Sequence, residues 1–135
     1  MGLMDIAMED LKRHEGFRGM PYRDTLGVLT VGYGRNLDAK GISEPEAHFM
    51  LRNDIIDALQ NLTMLEFWGS LSETRQVVLV DMAINLGFRG LLNFKKMIAA
   101  MRARDYNKAA DEMLDSVWAL QVGNRAMELA QMMRG

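Results

Sequence analysis

Apolar Leu3, Ile6, Ala7, Met8 and Leu11, followed by His14, recur near the 3.6-residue period of an amphipathic helix. Asp5, Glu9 and Asp10 stand towards its start and Lys12 and Arg13 towards its end, which matches the helix dipole. Gly16 suits the position just past a helix C-terminus, so this helix is expected to end at about Glu15. The period then changes. Val28, Leu29, Val31 and Tyr33 favour a strand, and Thr25-Leu26-Gly27 suits a three-residue hairpin loop. With Gly27 in the left-handed conformation, Asp24 would pair with Val28 and Tyr22 with Thr30, all four on one face. Gly32 and Gly34 point to close backbone approach or a bend, and Asn36 to Ile42 reads as a loop.

Ser43-Glu44-Pro45-Glu46 is a helix start, with Ser43 as N-cap and Glu46 completing a capping box. Ala47, Met50, Leu51, Ile55, Ala58, Leu59 and Leu62 then line one side of a long helix that can join two lobes. The remainder reads as helical. Ser70 or Ser72 caps a segment through Leu86 that Gly87 ends, and another runs from Leu91 or Asn93 to Met101. Asp105 opens a third through Leu114, Asp115-Ser116 leads into Val117-Trp118, and Gly123-Asn124 opens a last helix to Met133. No repeat or flexible linker interrupts the pattern.

The 135 residues suffice for one domain with a sizeable core. The absence of cysteine excludes disulfides and thiolate chemistry and fits a reducing compartment at synthesis. His14 and His48 make a weak case for a metal site without cysteines beside them. Thirteen methionines read as packing residues. The first residues carry acids and lack an apolar run of signal-peptide type, and no stretch approaches a membrane span, so synthesis in the cytoplasm is expected. A net charge of −2 argues against a dedicated nucleic-acid binder. Residues 1–60 hold ten acids and seven bases, residues 61–135 eight acids and nine bases. Between Arg89 and Lys108, six bases face Asp105 alone. Such a run attracts an anionic polymer or is simply a solvated helix surface.

Two carboxylates in unlike surroundings are the candidates for chemistry, Glu15 being otherwise a surface glutamate at a frayed helix end. Glu15, at a helix C-terminus, meets the negative end of the dipole, and Leu11 and Phe17 are placed to shield it from water. Both effects favour the proton-carrying form that a general acid needs, while His14 and Arg18 pull the other way. Asp24, at a polar hairpin mouth, is either an ordinary turn residue or an anion that holds a water or stabilises an oxocarbenium-like sugar. Thr30, on the same face, either orients that water or serves β-propensity alone.

Glu15-Gly16, Tyr22-Arg23-Asp24-Thr25, Gly27 and Thr30-x-Gly32-x-Gly34 resemble the phage-type lysozymes, a family of muramidases. The resemblance continues through Gly41-Ile42-Ser43-x-x-Glu46-Ala47, Asp81-Met82-x-x-Asn85-x-Gly87, Phe94, Ala109-Ala110 and Trp118-x-x-Gln121-x-x-Asn124-Arg125-Ala126. It implies an α+β, mostly α fold: a small N-terminal lobe with a β-hairpin and a helical C-terminal lobe, joined by a long helix. The lobes are expected at about 14–60 and 61–135, with helix 1–14 packed on the second. The implied activity is hydrolysis of the β-1,4 bond between N-acetylmuramic acid and N-acetylglucosamine, without cofactor or metal. By that resemblance Glu15 is the general acid, Asp24 holds the water or stabilises the transition state, and Thr30 assists. An inverting route, which the resemblance favours, needs carboxyl groups roughly 6.5–9.5 Å apart.

The resemblance also implies that Arg35 occupies the place of a histidine paired with a carboxylate on the long helix, here Asp54, so an Arg35–Asp54 ion pair is expected. Arg125 resembles an arginine reaching back towards the catalytic glutamate. Asn85 and Gln121 are placed to bind sugar amides and hydroxyls, or else to serve as a helix polar contact and a loop cap. The short segment between Gly34 and Ser43 is expected to trim the N-terminal lobe, and the extra C-terminal segment of longer members is not expected after Met133. The expected role is a monomeric phage or prophage endolysin that acts on peptidoglycan glycan strands, with a holin for membrane passage. Its expected location is the host cytoplasm before lysis and the periplasmic wall afterwards. The alternatives are a non-catalytic peptidoglycan-binding lysozyme-like module and a helical regulatory protein with a chance acidic pair.

Overall fold

The structure is a computed structural model that describes residues 1–135 throughout. It is mostly helical, with one small antiparallel sheet, the α+β class expected. The chain forms two compact units, Met1–Phe49 and Met50–Gly135.

The first unit opens with α1 (Leu3–Glu15), which ends where Gly16 turns the chain and returns its N–H to Lys12 O. Three strands follow, β1 (Arg18–Arg23), β2 (Leu29–Gly32) and β3 (Arg35–Asn36), hydrogen-bonded in that order. The register is the expected one: Tyr22 pairs with Thr30, and Asp24 N–H donates to Val28 O at 2.9 Å. Gly27 takes φ +78°, the left-handed turn position that a side chain would strain. Pro21 falls in β1, an edge strand, where its missing N–H disrupts no ladder.

β3 falls where a loop was expected. Arg35 and Asn36 have no strand propensity of their own, and they are extended because they pair with Val31 and Thr30. Among residues 1–49 only Thr30 is buried, so this unit rests on turns and backbone hydrogen bonds more than on an apolar core.

α2 (Glu44–Leu62) starts as the capping box requires: Glu46 N–H donates to Ser43 Oγ at 3.3 Å and Ser43 N–H to Glu46 Oε1 at 2.8 Å. The second unit holds α3 (Glu73–Leu92), α4 (Lys95–Arg102), α5 (Tyr106–Leu114), α6 (Val117–Val122) and α7 (Asn124–Arg134). Ser72, Asp105 and Ser116 accept from the first turns of α3, α5 and α6 through their side chains. α3 breaks at Gly87 as expected, but one more helical turn follows before α4.

α5 packs on α4 and α7, and α7 also meets α3 and α6. Leu62, Val78, Leu79, Met82, Leu91, Met97, Met101, Met113 and Met133 are fully enclosed. The methionines divide by place. Those five pack the helical core, whereas Met1, Met4, Met20, Met64 and Met127 are exposed, so packing accounts for only part of the methionine content.

Arg75 closes the end of α7. Its Nε and Nη2 donate to the carbonyls of Met133 and Arg134 at 2.7 and 2.9 Å, and its guanidinium lies 3.8 Å from the Tyr106 ring centroid. Helix-terminal carbonyls without partners are thereby satisfied. No single helix is long and apolar enough to cross a membrane.

Candidate active site

Glu15 is the last residue of α1 and is exposed. The apolar cover expected from Leu11 and Phe17 is not formed, because both are exposed. Phe17 instead packs against Tyr33, centroids 5.6 Å apart. The two basic side chains expected to act on Glu15 are engaged elsewhere. His14 Nδ1 lies 3.5 Å from Asp10, and Arg18 sits over the Tyr22 ring at 4.1 Å.

The Glu15 side chain lies against the backbone of Gly34. A β-carbon there would stand 2.6 Å from Oε2 and 2.8 Å from Cδ, so only glycine allows the approach. Gly34 also has φ +75° in the turn between β2 and β3, which makes it both the bend and the close approach.

Asp24 closes the hairpin. Its Oδ1 accepts from Leu26 N–H at 2.8 Å and Val28 N–H at 2.9 Å, while Oδ2 takes no hydrogen bond from the protein. One oxygen is fixed by the turn and the other is left to a ligand or water. Thr30, 4% exposed, donates its hydroxyl hydrogen to Val28 O at 2.8 Å, so its remaining lone pairs can only accept. Glu15, Asp24 and Thr30 thus stand in the first unit, on a helix end, a turn and the central strand. Asn85, Gln121 and Arg125 stand in the second.

The Arg35–Asp54 pair is not formed. Arg35 Nη1 and Nη2 meet Glu46 Oε1 and Oε2 at 2.8 and 2.5 Å, and Asp54 is exposed without an ion pair. Ser43 N–H already fixes the Glu46 carboxylate, so both its oxygens face the guanidinium fork. The Arg35 hydrogen bond, and then those from Ser43, hold Glu46 down at about 2 from an ordinary 4.5, while the same contact raises Arg35. A folded value below the unfolded one means stability present above the unfolded value and lost as pH falls through the folded one. Wild type should therefore lose melting temperature relative to Glu46→Gln between about pH 5 and about pH 2, where the two converge. Thermal melts across that range check it, and a constant gap would refute it.

Arg125 is bound to Asp81, with Nε and Nη2 at 2.8 and 2.7 Å from Oδ1, a partner that sequence did not suggest. Together with Leu51, Ile55, Val77, Val80 and Ile84 they line a depression of about 230 Å³. Asn85 Oδ1 accepts from the Trp118 indole at 2.7 Å, and the Gln121 side chain is exposed without a protein hydrogen bond.

The basic run is partly interleaved with acids. Arg102 pairs with Glu66, Lys95 and Lys96 share a cleft with Glu112 and Asp115, and Lys108 shares another with Asp105 and Glu112. That arrangement fits a solvated surface of mixed sign. No group of three or more His, Cys, Asp or Glu stands together as metal ligands do.

Residues 12–133 match the model of the phage lysozyme family, a span that includes Glu15, Asp24, Thr30 and Arg125. The chain belongs to the phage lysozyme family. Among relatives, it is 27% identical to the pre-baseplate central spike protein Gp5 of Enterobacteria phage T4, over 87% of this chain and 26% of that protein. The chain thus spans about a quarter of the spike protein's length. It is 25% and 24% identical to the probable T4-type lysozymes 1 and 2 of Dictyostelium discoideum, each over 86% of both chains.

Proposed function

We propose that the protein is a muramidase that hydrolyses the β-1,4 bond between N-acetylmuramic acid and N-acetylglucosamine in peptidoglycan. The observation that carries this reading is the Asp24 carboxylate, one oxygen pinned by two backbone N–H groups and the other free, in a family of lysozymes.

Glu15, in its protonated form, donates to the glycosidic oxygen as the bond to the anomeric carbon breaks. Asp24 Oδ2 holds the water that adds to that carbon and takes up its proton. The Thr30 hydroxyl, which can only accept, orients the water through a second hydrogen. Asn85 and Gln121 bind the glycan, while the charge of Arg125 is balanced by Asp81. In the cell the protein is a monomeric endolysin, held in the host cytoplasm until a holin opens the way to the wall.

The match to a spike protein favours a second reading, a lysozyme-like module that binds glycan within a larger particle. Reducing-end analysis of digested, purified peptidoglycan separates the two. New reducing ends from wild type, lost in Asp24→Asn by about 10²-fold or more, are expected. Wall binding with no new ends would replace hydrolysis by binding.

A further inference from the structure

Two aromatic rings stand near the Glu15 carboxyl and remain open to solvent. Phe17, two residues after Glu15, is 68% exposed. Tyr33, 47% exposed, directly precedes Gly34, whose backbone the carboxyl lies against. Single exposed apolar side chains are ordinary on a protein surface. These two form a pair, with ring centroids 5.6 Å apart and planes at 52°, next to the proton donor.

The pair is held from behind. The Phe17 ring rests on β1, where a β-carbon at Gly19 would stand 3.4 Å from its Cζ. Tyr33 is engaged twice, by the Phe17 ring and by the Lys12 ammonium of α1, which lies 5.5 Å from its centroid. Phe17 therefore keeps the wider open surface, and Tyr33 is its prop. A ring that is supported on two sides and uncovered on the rest is pre-organised to receive an apolar surface from outside.

We infer that Phe17, propped by Tyr33, is a stacking platform for the face of a pyranose ring of the glycan next to the bond that is cut. The inference rests on the muramidase reading. A β-linked pyranose with equatorial substituents turns its polar groups outward and presents axial C–H groups on its faces. Those hydrogens carry partial positive charge, and the face of an aromatic ring carries the complementary negative charge. The occupant is a sugar because the platform is continuous with the place where Glu15 meets the glycosidic oxygen.

Phe17→Leu tests it, because leucine keeps an apolar side chain and removes the π-face. Affinity is measured on a Glu15→Gln background, where binding is separated from turnover, for purified glycan strands with and without their peptides. The expected result is binding about fivefold weaker on both strands with melting temperature unchanged. Phe17→Trp keeps a ring and should bind at least as tightly as its parent. Its added indole emission should move to shorter wavelength as glycan saturates the protein. Undiminished affinity in Phe17→Leu overturns the inference and leaves the muramidase reading standing. Weakening only on peptide-bearing strands, or an equal loss in Phe17→Trp, also overturns it, since neither follows from a sugar stacked on a ring. A dimer of the parent that Phe17→Leu dissolves would give the face to a second copy and overturn it as well. A parent that binds neither strand, together with a wild type that releases no reducing ends, overturns the muramidase reading and the inference with it.

Discussion

Glu15→Gln should abolish clearing of wall suspensions while leaving the protein as stable as wild type. The expected loss in the rate of reducing-end release is about 10²–10⁴-fold, the usual contribution of a positioned proton donor. The two effects are separable because Glu15 is exposed and makes no hydrogen bond or ion pair within the protein. Replacing it by an isosteric amide removes a proton donor and disturbs no packing. The change should even favour folding slightly. A negative charge at the C-terminal end of α1 opposes the helix dipole, and glutamine relieves that opposition. Paired measurements of melting temperature and reducing-end release check the prediction. Equal release by the two proteins would remove Glu15 from the mechanism, and a large fall in melting temperature would show a structural role instead.

Local signals carried the elements that hold this site. Gly16 after a helical run, Thr25-Leu26-Gly27 between strand-forming residues, and Ser43 three residues before Glu46 each describe a structure closed within a few residues. Their hydrogen bonds are set by backbone conformation, which residue type restricts directly. The partners that tune the site were not legible for the opposite reason. Arg35 finds Glu46 rather than Asp54 because the capping box has already aimed the Glu46 carboxylate, a geometric advantage that spacing does not reveal. Arg125 and Asp81 are 44 residues apart, and Asn85 and Trp118 are 33. Such pairs depend on how helices pack. β3 was missed because a two-residue strand exists only through its neighbour, and the exposure of Phe17 because its ring found Tyr33. The family resemblance reached further than periodicity did, since it runs through most of the chain, as the match to the family model does.

Gly34→Ala should cost activity far beyond its cost in stability, and Gly32→Ala provides the matched control. Both glycines have left-handed φ, +75° and +70°, so alanine strains the backbone similarly at either, by about 1–2 kcal/mol. They differ in what the new methyl group meets. At Gly32 nothing lies within 4 Å, whereas at Gly34 the methyl would stand 2.6 Å from Glu15 Oε2 and 3.2 Å from its Cγ. The glutamate must swing away or the turn must open, and either displaces the proton donor by about an ångström. A displacement of that size costs about 10²-fold in rate when the reacting groups must be aligned. The two variants should therefore melt within a few degrees of each other and below wild type, while Gly34→Ala alone loses about two orders of magnitude in reducing-end release. Similar activity in both would mean that the contact between Gly34 and Glu15 has no part in aiming the carboxyl. A selective loss in Gly34→Ala, with folding matched by Gly32→Ala, would tie the chemistry to the position of one side chain, because backbone strain is common to the pair and the displaced carboxyl is not.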